Sequence, residues 1–119
     1  MDFKISDFSR FFLALLSGAL FFILALFFYR VETRTLVLYY SEGCPHCKEV
    51  LNYIHLVKLR RPVLCREVYF NEGNYEEFLK IAKRLKVDTL RVPALYDPRY
   101  EKLFVGDQEV ITHLEKIKK

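Results

Sequence analysis

Cys44-Pro45-His46-Cys47 sets two thiols three positions apart, directly after the apolar run Leu36-Val37-Leu38-Tyr39-Tyr40 and at the head of a helical pattern. A strand that ends where a helix begins delivers the first sulfur to the helix's N-terminal turn. Unpaired backbone N–H groups and the positive end of the helix dipole there favour a thiolate over a thiol. Pro45 suits the first helical position, since it has no N–H to leave unpaired and a φ already close to helical. One turn on, Cys47 is within reach of a mixed disulfide formed on Cys44. His46 adds a cation-forming ring beside the thiolate, which is expected to lower its pKa further.

A bare C-x-x-C is also half of a structural zinc site, which needs two more ligands, usually as a second close pair. Cys65, His55 and His113 remain, and no two of them are suitably spaced. No metal ligand set is assigned, and thiol chemistry is the reading.

From this motif the chain divides outward. Residues 11–29 carry no charge and are rich in Phe, Leu, Ile and Ala. As a helix they would be about 28 Å long, near the hydrocarbon thickness of a bilayer. Arg10 and Arg30 bracket the run, and Tyr29 suits an interface. A cleaved signal would have a shorter apolar core and a small-residue cleavage site, and a buried core helix would have a polar face. The expectation is a short polar tail over 1–10, a transmembrane helix over 11–29, a charged linker over 30–35 and one domain over 36–119. Lys4 and Arg10 at one end nearly balance Arg30 and Arg34 at the other. A short tail before a single anchor as a rule stays inside, so the domain is expected outside the cytoplasm. The net charge of +4 lies wholly in the domain, because Lys4 and Arg10 cancel Asp2 and Asp7. Basic residues such as Lys80, Lys83, Arg84 and Lys86 read as a solvated helix face, and nothing in the pattern suggests nucleic acid.

Within the domain, Cys47, Val50, Leu51 and Ile54 recur at helical spacing, with Lys48, Glu49 and Asn52 on the other face. Pro62 predicts the end of that helix near Arg60-Arg61. Val63 to Phe70 reads as a strand, with Cys65 as a buried small hydrophobe. Asn71-Glu72-Gly73 reads as a turn, and Asn74 with Glu77 as a capping box for a helix bearing Phe78, Leu79, Ala82 and Leu85. Leu90 to Tyr96 contains Pro93, plainly read as an edge-strand proline. Lys102-Leu103-Phe104-Val105 pairs back as a hairpin. Asp107 is then the expected N-cap of a helix carrying Val110, Ile111, Leu114 and Ile117, with His55 and His113 at the surface. Strand, helix, strand, helix, strand, strand, helix implies a parallel pair followed by an antiparallel hairpin in a four-stranded mixed sheet.

Strand, Cys44-Pro45-His46-Cys47, helix, then Arg91-Val92-Pro93 before a hairpin and Gly106-Asp107 opening a last helix resembles the thioredoxin superfamily. The compact length, with no strand and helix added before the motif, resembles glutaredoxins in particular, over about residues 35–117. The resemblance implies an α/β thioredoxin-like fold and a disulfide-exchanging enzyme. It implies Cys44 as nucleophile and Cys47 as resolving thiol. It also implies a cis Pro93 beside the pair, Val92 offering its backbone to a substrate, and Gly106 with Asp107 holding glutathione at a helix start. The chain departs from the family pattern at three places. Ser41-Glu42 stands where a Lys or Arg is common, Val105-Gly106 replaces a Gly-Gly pair, and Gln108-Glu109 replaces an acidic pair. Protein thiols and a redox partner are therefore the expected substrates, with glutathione a candidate co-substrate and no resident cofactor. The alternatives at this stage are a metal, iron–sulfur or copper carrier using the same cysteines, and a redox-inactive tethered scaffold.

Overall fold

The computed structural model describes residues 5–119, and the chain divides into two compact units, one ending at Glu32 and the other running from Thr33 to Lys119. Helix α1 (Ile5–Arg34) carries an apolar span, Ser6–Arg30, of 25 residues. At 1.5 Å per residue that span is about 37 Å long, enough to cross a bilayer. Its Phe and Leu side chains are exposed all around the helix, as no soluble core helix would leave them. The residues expected as a linker are helical as far as Arg34.

The second unit runs β1 (Leu36–Tyr40), α2 (Pro45–Leu56), β2 (Val63–Glu67), α3 (Glu72–Arg84), β3 (Ala94–Asp97), β4 (Lys102–Val105) and α4 (Asp107–Lys116). The sheet order is β2-β1-β3-β4, with β1 parallel to β2 and the other two pairings antiparallel. Side-chain alternation sorts the core onto two faces. Leu36, Leu38 and Leu95 pack with Val50, Val110 and Leu114, under α2 and α4. Tyr39, Ala94, Tyr96 and Leu103 pack with Phe78 and Ala82 of α3. Tyr39 stacks on Phe78 with ring centroids 4.7 Å apart. Both faces are covered, which is why β1 and β3 read as continuous apolar runs rather than alternating ones.

Several expectations change in detail. α2 stops at Leu56, four or five residues before the expected Arg60-Arg61. Residues 58–60 instead pair with the C-terminus: Arg60 N–H donates to Ile117 O, Lys119 N–H to Lys58 O, and Leu59 bridges Lys118. β2 ends at Glu67 rather than Phe70, because the Glu67 carboxylate accepts the N–H groups of Tyr69 and Phe70 and turns the chain. Asn71, not Asn74, caps α3, its side chain accepting the Asn74 N–H at 3.0 Å. The cap of α4 is Gly106, and Asp107 is the first helical residue. Pro93 does not sit on an edge strand: it precedes β3, an inner strand, through a cis Val92–Pro93 bond. Cys65 is exposed rather than buried, since β2 is itself the edge of the sheet.

His113 is also a correction, being buried rather than at the surface. It stacks on Phe104, and its Nε2 lies 2.7 Å from Asp97 Oδ2. Asp97 is fully buried, and Arg61 grips both of its oxygens at 2.7 and 2.8 Å. Arg61 also donates to the carbonyls of Thr33 and Arg34, immediately before β1. Burial by itself would raise the Asp97 pKa, but hydrogen bonds from Arg61, His113 and the Arg99 N–H outweigh it and hold the carboxyl below its usual range.

Asp97→Asn leaves the Arg61 charge buried without its counter-ion, and the unfolding free energy should fall by about 3–5 kcal/mol at neutral pH. With the folded-state pKa depressed, the stabilisation from Asp97 is complete above the ordinary value of about 3.9 and fades as pH falls through the lower, folded value. Urea unfolding of the full chain in detergent micelles, followed by tyrosine near-ultraviolet circular dichroism, measures both effects. The acid-side loss contributed by this carboxyl should be absent in the variant.

Candidate active site

β1 ends at Tyr40, and Gly43 turns the chain at φ +85°, a conformation that favours glycine. Cys44 follows as the N-cap of α2 in extended geometry, and Pro45 occupies the first helical position. The Cys44 Sγ accepts the Cys47 N–H at 3.4 Å, and the Cys44 carbonyl accepts the Lys48 N–H. One sulfur thus caps the helix, where a serine or aspartate oxygen ordinarily would. Cys44 is partly exposed and Cys47 fully buried. Burial is the main reason the Cys47 thiol is pushed up to about 12; the Cys44 side chain adds to the rise, and a backbone hydrogen bond from Ser41 opposes it. The two thiols are therefore chemically unequal: one presented to solvent on a cap, the other held protonated beneath it.

Next to this cap lies a cavity of about 240 Å³, lined by His46, Arg91, Val92, Pro93, Gly106 and Asp107. Of the six residues nominated from sequence beyond the cysteines, five line it, and Pro45 does not. The Gly106 N–H donates to Pro93 O at 2.9 Å, which ties the cis-proline loop to the start of α4. Gly106 has φ +96°, and the Arg91 guanidinium lies 3.4 Å from where a Cβ would stand, so a larger residue there meets both strain and a neighbour. Among the described residues, the Val92 N–H and C=O have no hydrogen-bond partner. His46 Nδ1 lies 2.9 Å from Asp107 Oδ2. That hydrogen bond is the main reason the Asp107 carboxyl is held below its usual range. The imidazole is thus committed to α4 through Asp107.

A second hollow, about 320 Å³, is also bordered by Val92 and is lined by Ser41, Tyr69, Tyr75, Leu90 and Arg91 among others. The Tyr69 and Phe70 rings stand 74% and 73% exposed, edge to face. Glu67 holds them out. Burial opposes its ionisation, but the N–H groups of Phe70, Tyr69, Glu42 and Asn71 together lower its pKa. Sequence reading missed Tyr69, Tyr75 and Leu90, which belong to three separate segments. It quoted Arg91 only as part of the Val-Pro motif, and the direct signal was its position one residue before Val92. A further hollow of about 370 Å³ lies between β4 and α4, lined by Phe104, His113 and Lys116 among others.

No protein-family model matches the chain, and no curated protein matches it in sequence. Among solved structures, it is similar to the solution structure of the dithiolic glutaredoxin 2-C-Grx1 of Trypanosoma brucei brucei, with a TM-score of 0.51 and 16% identity over 74% of this chain and 84% of that one. At that identity the likeness is one of fold. Thr33–Lys119 has a glutaredoxin-like fold, with a four-stranded mixed sheet, and is preceded in the chain by a long apolar helix.

Proposed function

We propose that this protein is a membrane-anchored thiol–disulfide oxidoreductase that exchanges disulfides with protein thiols through Cys44 and Cys47. The observation that carries the reading is the inequality of the two sulfurs: Cys44 partly exposed on the α2 cap, Cys47 buried one turn below. The Cys44 thiolate attacks one sulfur of a substrate disulfide. The other sulfur leaves as a thiolate and takes up a proton. Cys47, deprotonated, then attacks Cys44 Sγ and expels the second substrate thiolate. The substrate has gained two electrons, and Cys44 and Cys47 have lost two as their own disulfide. A redox partner of the dithiol class returns them, and the same steps run backwards oxidise a substrate dithiol.

The free backbone of Val92 suits an extended chain, which would pair with it as a short added strand. The aromatic hollow beside it suits a bulky apolar side chain on that chain. This supports polypeptides as the main substrates. Arg91 brings one positive charge to the cavity that Ser41-Glu42 does not supply, so glutathione remains a candidate co-substrate through a carboxylate. α1 anchors the domain by its apolar span, and on this reading the domain faces the extracytoplasmic side.

Cys47→Ser is expected to accumulate mixed disulfides on Cys44, visible on non-reducing gels, and Cys44→Ser to accumulate none. Absence of trapped species with Cys44 still alkylatable would sink the exchange mechanism. Burial pushes the Cys47 pKa well above neutral, so the thiol is almost wholly protonated at pH 7. Release of the substrate from the mixed disulfide should therefore quicken about tenfold per pH unit between about pH 6 and 9; a flat stopped-flow profile would show that Cys47 ionisation does not limit that step. Tyr75→Ala should lower kcat/KM about five- to tenfold for peptide disulfides bearing a bulky apolar neighbour. It should leave a small alkyl disulfide unaffected. A membrane-impermeant maleimide on intact cells should label Cys44, and labelling only after lysis would put the domain on the cytoplasmic side.

A further inference from the structure

Glu49 takes no part in the thiol chemistry above, yet it stands three residues after His46 on α2, a spacing that puts both on one helix face. Asp107, at the start of α4, meets the same face across the gap between the helices. One donor atom from each of the three lies within 4.8 Å of the other two. We propose that His46, Glu49 and Asp107 form a binding site for a divalent transition-metal ion of the zinc class, independent of the cysteines.

The geometry is close to what such an ion needs. Nitrogen and oxygen ligands sit about 2.0–2.2 Å from zinc, so two donors on one ion lie about 3–3.6 Å from each other. His46 Nδ1 and Asp107 Oδ2, hydrogen-bonded at 2.9 Å, are slightly closer than that and would part by a few tenths of an ångström to admit an ion. Glu49 is exposed and has a flexible stem, so closing about 1 Å takes only a rotamer adjustment. One imidazole nitrogen with two carboxylate oxygens suits zinc, cobalt or manganese and disfavours a soft ion such as Cu(I).

Charge works in both directions here. The two carboxylates bring two negative charges. Against them stand about half a positive charge at the N-terminus of each of α2 and α4, and the Arg91 guanidinium near Gly106. The balance before binding is near neutral, which favours an exchangeable ion over one held permanently. Three protein ligands leave open positions for water or another ligand. Because His46 and Asp107 also line the cavity beside Cys44, a bound ion takes both side chains away from any other occupant. Without an ion, His46 and Asp107 are a hydrogen-bonded pair between two helices, and Glu49 is exposed to solvent.

The test uses the full chain in detergent micelles, without a histidine tag. Cys44→Ser, Cys47→Ala and Cys65→Ser are combined so that no thiolate competes, and far-ultraviolet circular dichroism checks the fold. Because no thiol is present, the result stands apart from the exchange mechanism. Co²⁺ titrated in equilibrium dialysis should bind at one ion per chain, give visible d–d absorption and be displaced by Zn²⁺. Adding Glu49→Gln or His46→Ala should weaken binding at least tenfold. No saturable binding to the folded parent, or equal binding after Glu49→Gln, overturns the site. Should the triple substitution unfold, Mn²⁺ titration of the reduced wild-type chain against its Glu49→Gln variant reads the same difference, since Mn²⁺ prefers oxygen and nitrogen to sulfur.

Discussion

Leu36, Leu38 and Tyr39 have no contact with solvent, the first two turned toward α2 and α4 and the third toward α3. A strand buried on both faces cannot slip by one residue without exchanging its leucines for its tyrosine. Register is therefore pinned along β1, and with it the point where the strand ends and the chain turns at Gly43. Cys44 arrives at the N-cap of α2 because everything before it is held. Val50, one turn beyond Cys47, locks the helix from below with no exposure of its own. The position of one sulfur is thus a consequence of apolar packing on both sides of the strand that precedes it.

What surrounds that sulfur comes from the far parts of the chain. β3 lies antiparallel beside β1, so the loop before β3 returns to the end of the sheet where β1 finishes. Val92 and Pro93 therefore stand next to the start of α2, and the Gly106–Pro93 hydrogen bond draws the start of α4 to the same place. Two helix starts and one loop with free backbone groups converge on a single small cavity. Burial then sets the two thiols apart: Cys44 is partly exposed, while Cys47 is fully buried and its pKa is raised by that burial.

The other end of the sheet carries the charged counterpart. Asp97 closes β3 beside the beginning of β1, where Arg61 and His113 converge on its carboxylate. Arg61 gives two more of its donors to the carbonyls of Thr33 and Arg34, so polar groups that would be costly inside the fold are matched to one another. None of this bears on thiol chemistry. It ties the segments before β1 and β2 to β3 and α4.

Local pattern was enough for the order of elements, the apolar helix, the cysteine pair at a helix start and the hairpin, because each is written within a few neighbouring residues as periodicity, a proline or a turn. The same locality explains the failures. Asn71 and Asn74 are equally good caps on paper, and the choice fell to the one whose carboxamide met a free N–H. Cys65 reads as buried because strand residues usually are, but its exposure follows from β2 being the edge of the sheet. His113 lies 16 residues from Asp97, Arg61 36 residues from it, and His46 61 residues from Asp107. Such partners have no signature in a window of any useful length. The sequence alone determined which residues could do chemistry; only the tertiary structure decided which of them meet, because polar pairing and burial are set by contacts between segments that the chain order keeps apart.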